Sequence, residues 1–433
     1  VTLLPRTQAF GYFAQNFVGL VERVTDHLAN PDQKLPRDRL WQVRAKEVVI
    51  ATGAHERPLV FPDNDRPGIM LADAARIFAN RYGVRPGGRA VVATAHDSAY
   101  QAALDLKAAG VSIERIVDLR HEANGALPNA ARAAGIRVDV ATAITGSTGS
   151  LRVKSARVSK IGTDGEEDIP CDLILMCGGW TPSVHLFSQS RGKLKFDAER
   201  NVFIPGTSVQ AERSAGACKG SETLADAFAD GFAAGGDAAT KAGFKASTHQ
   251  VTVAGVHEAK GGFLGAVPHP HDAGRVKAFV DFQNDVTAKD IKLATREGMR
   301  SIEHVKRYTT TGMATDQGKL SNMNALAIAS QALDKSIPEV GLTTFRQPYT
   351  PISFGAMANH SRGDLFDPVR KTPSHAWAEA QGAVFEDVGL WKRAWYFPKA
   401  GEDMHKAVLR ECKTVRESAG LFDASTLGKI EVV

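Results

Sequence analysis

The sequence predicts an α/β fold: doubly wound, three-layer units built on parallel sheets, then a small helical module and the start of an α+β domain. Three observations carry this. Residues 86–120 read strand–helix–strand, with apolar runs at 89–94 and 112–119 flanking a helix at 98–109, the alternation of parallel βαβ units. Residues 46–54 form an apolar run ending in Ala51-Thr52-Gly53, which suits a buried parallel strand whose last turn comes close to a ligand because glycine has no Cβ. A third apolar run, 172–180, ends in Gly178-Gly179-Trp180, and a glycine-rich turn at 216–220 precedes a helix at 222–235.

Taken in order, residues 1–85 alternate strands with short turns, beginning in a strand-forming register at 1–4, and 181–245 return to the same unit. Residues 86–180 form a second, inserted unit. Residues 246–275, rich in Gly, His and Pro, read as a linker. Residues 276–335 are small and mostly helical, and 336–370, with Pro338, Pro348, Pro351 and Pro368, suit an extended strap. Residues 371–433 begin a new α+β unit and close on the alternation Lys429-Ile430-Glu431-Val432-Val433 with no turn signal after it. That ending predicts a piece of a longer polypeptide.

A length of 433 residues predicts about two to four domains. Basic residues exceed acidic ones by 53 to 48, a net +5 with the signs interspersed, which argues against a nucleic-acid face. No apolar run approaches the ~20 residues of a membrane span, and no leader is visible. Cys171, Cys177, Cys218 and Cys412 show no C-x-x-C spacing, so reduced thiols in a cytoplasmic protein are the simplest reading.

The turn after the strand at 89–94 is where a phosphate-binding G-x-G-x-x-A would sit. There the two glycine positions are Thr94 and His96, and only Ala99 survives. Side chains at both would crowd a pyrophosphate, so this unit reads as kept for structure, although Asp118 stands where a ribose-binding carboxylate would be. Cys218 sits in the 216–220 turn, and with no second cysteine nearby the structural reading is favoured over a redox one.

Ala51-Thr52-Gly53 with Arg57-Pro58 resembles the A-T-G-x-x-x-R-P turn of the two-dinucleotide-domain flavoprotein reductases, and 216–220 with its helix resembles their second signature. The first glycine motif of that family would precede Val1, so the chain by itself is expected to hold a dinucleotide weakly. Residues 279–287 with 310–321 resemble the two-iron module of bacterioferritin-associated ferredoxin, with the four ligand positions at Asp281, Gln283, Asp316 and Ser321. A cluster needs thiolates, so none is expected. The Thr/Gly/Lys loop that remains is either a phosphate site or a solvated turn. Residues 416–425 with 429–432, approached through 372–375 and 382–385, resemble the opening of the aminomethyltransferase fold of the glycine-cleavage T-protein.

That order of parts, together with 54–68 and 80–84, resembles the α-subunit family of heterotetrameric sarcosine oxidases along all 433 residues. The resemblance implies an FAD/NAD(P)-binding type of fold and a complex that converts sarcosine to glycine and hydrogen peroxide, passing the one-carbon unit to tetrahydrofolate. It implies NAD in this chain, FAD in a partner β subunit, FMN at their interface, further γ and δ subunits, and a folate site beyond residue 433. By motif, Val18, Ala51, Thr52, Gly53, Ala217, Glu222 and Leu224 are the expected NAD neighbours, and Arg307, Thr310 and Lys319 the expected FMN-phosphate contacts; no catalytic or metal-binding residue is expected. Competing readings are a stand-alone pyridine-nucleotide:disulfide reductase, the subunit of an opine or cyanide-forming oxidase, and a non-catalytic scaffold.

Overall fold

The computed structural model describes residues 1–247, 251–254, 259–271, 276–428 and 430–432. They divide into two compact units, residues 1–37 with 41–352, and residues 38–40 with 353–433.

The first unit opens on β1 (Thr7–Phe13) and β2 (Phe17–Arg23), paired antiparallel; β3 (Asp38–Arg44) completes the order β1-β2-β3. Residues 1–4 form no strand, contrary to the sequence reading: alternation alone does not satisfy backbone amides, which need a partner strand. Next come β4 (Val48–Ile50), β5 (Ala54–Glu56), β6 (Ile69–Leu71), α1 (Ala72–Tyr82), β7 (Arg89–Thr94), α2 (Ser98–Ala108), β8 (Ser112–Asp118), α3 (Ala126–Ala133) and β9 (Val138–Asp139).

A meander of β10 (Thr142–Thr148), β11 (Ser155–Lys160) and β12 (Glu166–Pro170) leads into β13 (Leu173–Cys177). Strands β6, β13, β7, β8 and β9 form one sheet in that order, every neighbouring pair parallel. β7 and β13 can lie inside it because Ala90–Ala93 and Leu173–Cys177 are at most 5% exposed on both faces. One face packs Val92 and Leu175 against Ala75, Tyr100, Leu106 and Leu127 of the three helices. The other packs Val91, Ala93 and Ile174 against Ile144, Val158 and Ile169 of the meander. The three layers are thus helices, parallel sheet and antiparallel sheet.

The chain returns through β14 (Trp180–Pro182), α4 (His185–Gln189), β15 (Lys193–Asp197), β16 (Val202–Thr207), β17 (Glu212–Ser214) and α5 (Leu224–Lys241). α5 starts at an N-cap, Thr223, whose hydroxyl accepts from Asp226 N at 3.1 Å. It runs past the expected stop at 235 because Gly235-Gly236 costs only about 1 kcal/mol per glycine.

The following module contains β18 (Phe279–Asp281), β19 (Val286–Thr287), α6 (Ala288–Arg296), α7 (Ile302–Thr309), α8 (Asn322–Leu333) and α9 (Ile337–Val340). A capping box between Thr287 and Asp290 fixes the start of α6. Val280, Ile291, Val305, Leu326 and Ile328 form its core, each at most 1% exposed. Beyond α9 the proline-rich strap is extended up to residue 352, tied down where Tyr349 N donates to Phe10 O at 2.5 Å and Gln189 Nε2 to Arg346 O at 3.0 Å.

The second unit holds α10 (Phe354–Ala358), β20 (Arg370–Lys371), α11 (His375–Ala380), β21 (Val384–Val388), β22 (Trp391–Tyr396) and α12 (Met404–Glu417), with strand order β20-β22-β21. Ser374 donates to Asp423, and this hydroxyl holds the Asp423 carboxyl below its usual range. Residues 430–432 form no strand, again contrary to expectation, while Lys429 and Val433 lie outside the described residues. No helix of the described residues is long and apolar enough to cross a membrane.

Candidate functional site

The expected cofactor turn is built by two chain passes. β17 runs parallel beside β4, and Ala215 N donates to Ile50 O at 2.9 Å. The turn leaving β4 is locked by Thr52, whose Oγ1 donates to Ser183 O at 2.7 Å, and by Ser183 N donating to Gly53 O at 2.9 Å. Gly53 has φ +73°, and no atom lies within 4 Å of where its Cβ would stand. Glycine is therefore required here by the backbone conformation and leaves open space beside it.

After β17, the 3-10 turn Gly216–Cys218 leads to α5. The Cys218 thiol is 1% exposed and donates toward Ile50 O at 3.3 Å and Ala215 O at 3.2 Å.

In front of these turns lies a cavity of about 730 Å³ whose wall includes Ala54, Arg57, His96, Trp180, Ala217, Gly220 and Glu222. Of the expected NAD neighbours, Ala217 and Glu222 line it, and Thr52 and Gly53 shape the turn that leads into Ala54. Glu222 is already paired with Arg200 Nε at 2.6 Å. Ala51 is exposed at the end of β4. Val18 packs instead on the cluster of Tyr12, Ile50, Leu186 and Cys218. Leu224 is 60% exposed and shares a stripe at four-residue spacing on α5 with Phe228 and Phe232. Sequence reasoning missed His96 and Trp180 as cavity residues; Trp180 was marked by its position after Gly178-Gly179 at a strand end.

The second glycine-position turn is filled from within. Thr94 Oγ1 donates to His96 O at 2.8 Å and accepts from His96 N at 2.9 Å, and His96 Nδ1 accepts from Ser98 N at 3.1 Å. Lys260–Gly262 lie across it: His96 bridges Gly261, Asp97 N donates to Lys260 O at 3.0 Å, and Lys260 N donates to Asp97 Oδ2 at 3.0 Å. A Cβ on Gly261 would stand 2.2 Å from Ala95 O. Asp118, fully buried, accepts from Tyr100 Oη at 2.7 Å and from Arg120 N at 2.9 Å and Nη2 at 2.6 Å. The amides and carboxylate that would meet a dinucleotide are spent on the chain itself.

The four cluster-ligand positions do converge. Asp281 Oδ2 accepts from Gly312 N at 2.7 Å and from Ser321 Oγ at 3.2 Å, and Gln283 Oε1 accepts from Asp316 N at 2.8 Å. Burial, with the Asp281 charge nearby, pushes the Asp316 carboxyl up. Lys319 Nζ donates to Tyr349 O at 2.6 Å and Asp316 O at 3.1 Å. Arg307 is exposed and paired with Glu303 at 3.1 Å, and Thr310 is the exposed left-handed cap of α7, φ +64°.

Comparison with known proteins identifies similar families and folds. The sarcosine oxidase A3 domain family covers residues 275–361, and the GCVT N-terminal domain family covers residues 374–433. The L-proline dehydrogenase of P. horikoshii shares the fold at a TM-score of 0.61 and 20% identity, over 82% of this chain and 64% of that one. An opine oxidase subunit of Agrobacterium tumefaciens (strain Ach5) is 25% identical over 73% of this chain and 70% of its own. The alpha subunits of the sarcosine oxidases of Corynebacterium sp. (strain P-1) and Rhizobium meliloti (strain 1021) are 45% and 43% identical over 100% of this chain. The chain spans about half the length of these two relatives, 46% and 43%. By this similarity along its whole extent, the chain belongs to the alpha-subunit family of sarcosine oxidases.

Proposed function

We propose that the chain is the NAD-holding part of the α subunit of a heterotetrameric sarcosine oxidase working in the cytoplasm with β, γ and δ subunits. The assembled enzyme oxidatively demethylates sarcosine to glycine and hydrogen peroxide, and its one-carbon unit passes to tetrahydrofolate. The observation carrying this is 43–45% identity over the full chain; the opine oxidase relatives are 24–25% identical over 73–75% of it, which makes an opine-type oxidase the second reading.

Part of the cavity wall fits a dinucleotide. The positive-φ turn at Gly53 leaves room beside it, and Ala217, Gly220 and Glu222 line one side of the cavity. Residues 51–54 and 217–222 would hold NAD, with Val18 and Leu224 supporting from behind and beside it. In this reading NAD is bound without turnover and serves to order the unit. Flavin, as FMN at the interface and FAD in the β subunit, supplies electron transfer from the amine to O₂. Arg307, Thr310 and Lys319 would face the FMN phosphate: the first two are exposed, and Lys319 keeps one of its three N–H donors beyond its two carbonyl partners.

The test is the complex expressed with its neighbouring genes. NAD should be released on denaturation in proportion to this chain, and oxygen uptake with sarcosine should need the partners. Oxygen uptake by this chain alone with sarcosine overturns the division of labour. Substrate preference for opines over sarcosine favours the second reading.

A further inference from the structure

Among the cavity residues Arg57 is out of balance. It is 3% exposed, and its only side-chain hydrogen bond among the described residues runs from Nε to Gly178 O at 3.2 Å. Nη1 is buried with no partner. No carboxylate of the described residues pairs with it, and burial pulls its guanidinium down only to about 10, so it is charged at neutral pH. A buried cation without a counter-charge is costly, and such a group wants an explanation.

Its surroundings supply one. Gly179 and Gly262 make the room, since a Cβ on either would stand 2.9 or 3.2 Å from Arg57 Nη2. Gly261, beside Gly262, bridges the backbone of His96. The His96 Nδ1 accepts from Ser98 N at 3.1 Å, which places the ring proton on Nε2. Nε2 makes no hydrogen bond of its own among the described residues, and burial pulls the ring down to about 4, so it is neutral at pH 7. Trp180 is anchored alongside by Nε1 donating to Ser98 Oγ at 3.0 Å. The inner end of the cavity is thus one uncompensated positive charge, a neutral N–H donor and an indole.

We propose that this end of the cavity binds a small organic carboxylate, held by the Arg57 guanidinium and the His96 Nε2–H beside Trp180. The charge count selects the class. One cation and one neutral donor match a monoanion, and Arg57 Nη2, beside Gly179 and Gly262, and the His96 Nε2–H offer one donor to each oxygen of a carboxylate. A phosphate dianion would leave a charge uncompensated. The other ionic groups of the wall are Glu199, Arg200, Glu222 and Lys260: Arg200 is satisfied by Glu222, and Lys260 has an interaction of its own. The proposal rests on no residue assigned to NAD, although Ala217 and Glu222 line the same cavity.

Trp180 provides the local probe. The full chain is titrated with sodium acetate, inorganic phosphate and chloride at constant ionic strength, following tryptophan fluorescence and melting temperature, with NAD content measured separately on the same samples. Acetate should give a saturable change that disappears in Trp180→Phe, while phosphate and chloride give none at the same concentrations. Arg57→Met should weaken acetate binding about a hundredfold, and His96→Ala about tenfold. Arg57→Met should stay folded, since it removes an unpaired buried charge, and acetate should no longer raise its melting temperature. Three results overturn the proposal: no saturable response to acetate, an equal response to phosphate, or unchanged acetate affinity in folded Arg57→Met. Acetate binding by the chain, with or without NAD, supports this site, while the NAD reading fails separately if the assembled complex releases no NAD on denaturation, so the two failures are distinguishable.

Discussion

Replacing Asp281 by Ala should loosen the helical module by roughly 3–7 kcal/mol, and the figure follows from the hydrogen bonds its carboxylate accepts. The carboxylate is 2% exposed. It accepts from Gln283 N and Asn284 N at 3.0 Å each, from Gly312 N at 2.7 Å and from Ser321 Oγ at 3.2 Å. After truncation the first two amides, in a partly exposed loop, regain water. Gly312 and Ser321 are buried, and each orphaned donor costs about 1–3 kcal/mol; loss of the turn that Asp281 closes on its own loop adds about 1 kcal/mol. Asp281→Asn keeps one acceptor oxygen and turns the other into a donor, so about half the loss is expected. Amide hydrogen exchange in α8 reads this opening directly, with about tenfold faster exchange for every 1.4 kcal/mol lost. A loss below about 1 kcal/mol for Asp281→Ala would mean that the interlock of the four ligand positions does not hold the module together.

Glu56 is 6% exposed, accepts from Asp73 N at 2.9 Å, and is pushed by burial up to about 7. A carboxyl with a raised folded-state pKa binds its proton more tightly when folded, so stability should fall as pH rises from about 4.5 to about 7 and level off above. Glu56→Gln keeps the acceptor, lacks that slope, and should be more stable at pH 8 by up to about 3 kcal/mol; melting temperatures from pH 5 to 8 with parallel slopes would contradict this. Gly53→Ala should cost about 1–2 kcal/mol, from the left-handed backbone rather than from crowding, and should lower NAD content; unchanged NAD would place the dinucleotide away from this turn. Cys218→Ala should cost about 1–2 kcal/mol in thermal unfolding and leave oxygen uptake by the complex intact; abolished uptake at unchanged stability would restore the redox reading.

What was legible in the sequence was whatever one stretch of chain decides by itself. β7 and β13 are apolar on both faces, so their place inside a parallel sheet shows in their composition. The Thr94 and His96 substitutions were visible as obstructions to a pyrophosphate, and the four cluster positions as residues without thiolates. What was hidden depends on distant partners. Residues 1–4 and 430–432 have strand-like patterns with no strand paired to them among the described residues. Lys260–Gly262 cover the turn at 94–98 from more than 160 residues away, and their own sequence marks only a flexible stretch. His96 shows both limits at once: its bulk was readable, but the direction of its Nε2 follows from Ser98 holding the opposite nitrogen.

The two turns that resemble cofactor sites share a physical logic. A tightly bound cofactor stabilises a fold by mass action, so a site that stops binding one must recover that stability from the chain. At 94–98 the recovered contacts are the Thr94 hydroxyl, the His96 ring and the Lys260–Gly262 backbone; at 281–321 they are the Asp281 carboxylate and the Gln283 amide. In both places the polar groups of the turn are saturated internally. At the 730 Å³ cavity the balance is reversed. Arg57 keeps its charge inside the protein with one backbone carbonyl as its only acceptor among the described residues, and the wall keeps Gly179 and Gly262 where any side chain would push on the guanidinium. The chain's own atoms satisfy the donors of those two turns but leave the Arg57 guanidinium with a single acceptor, and that contrast is what the carboxylate proposal rests on.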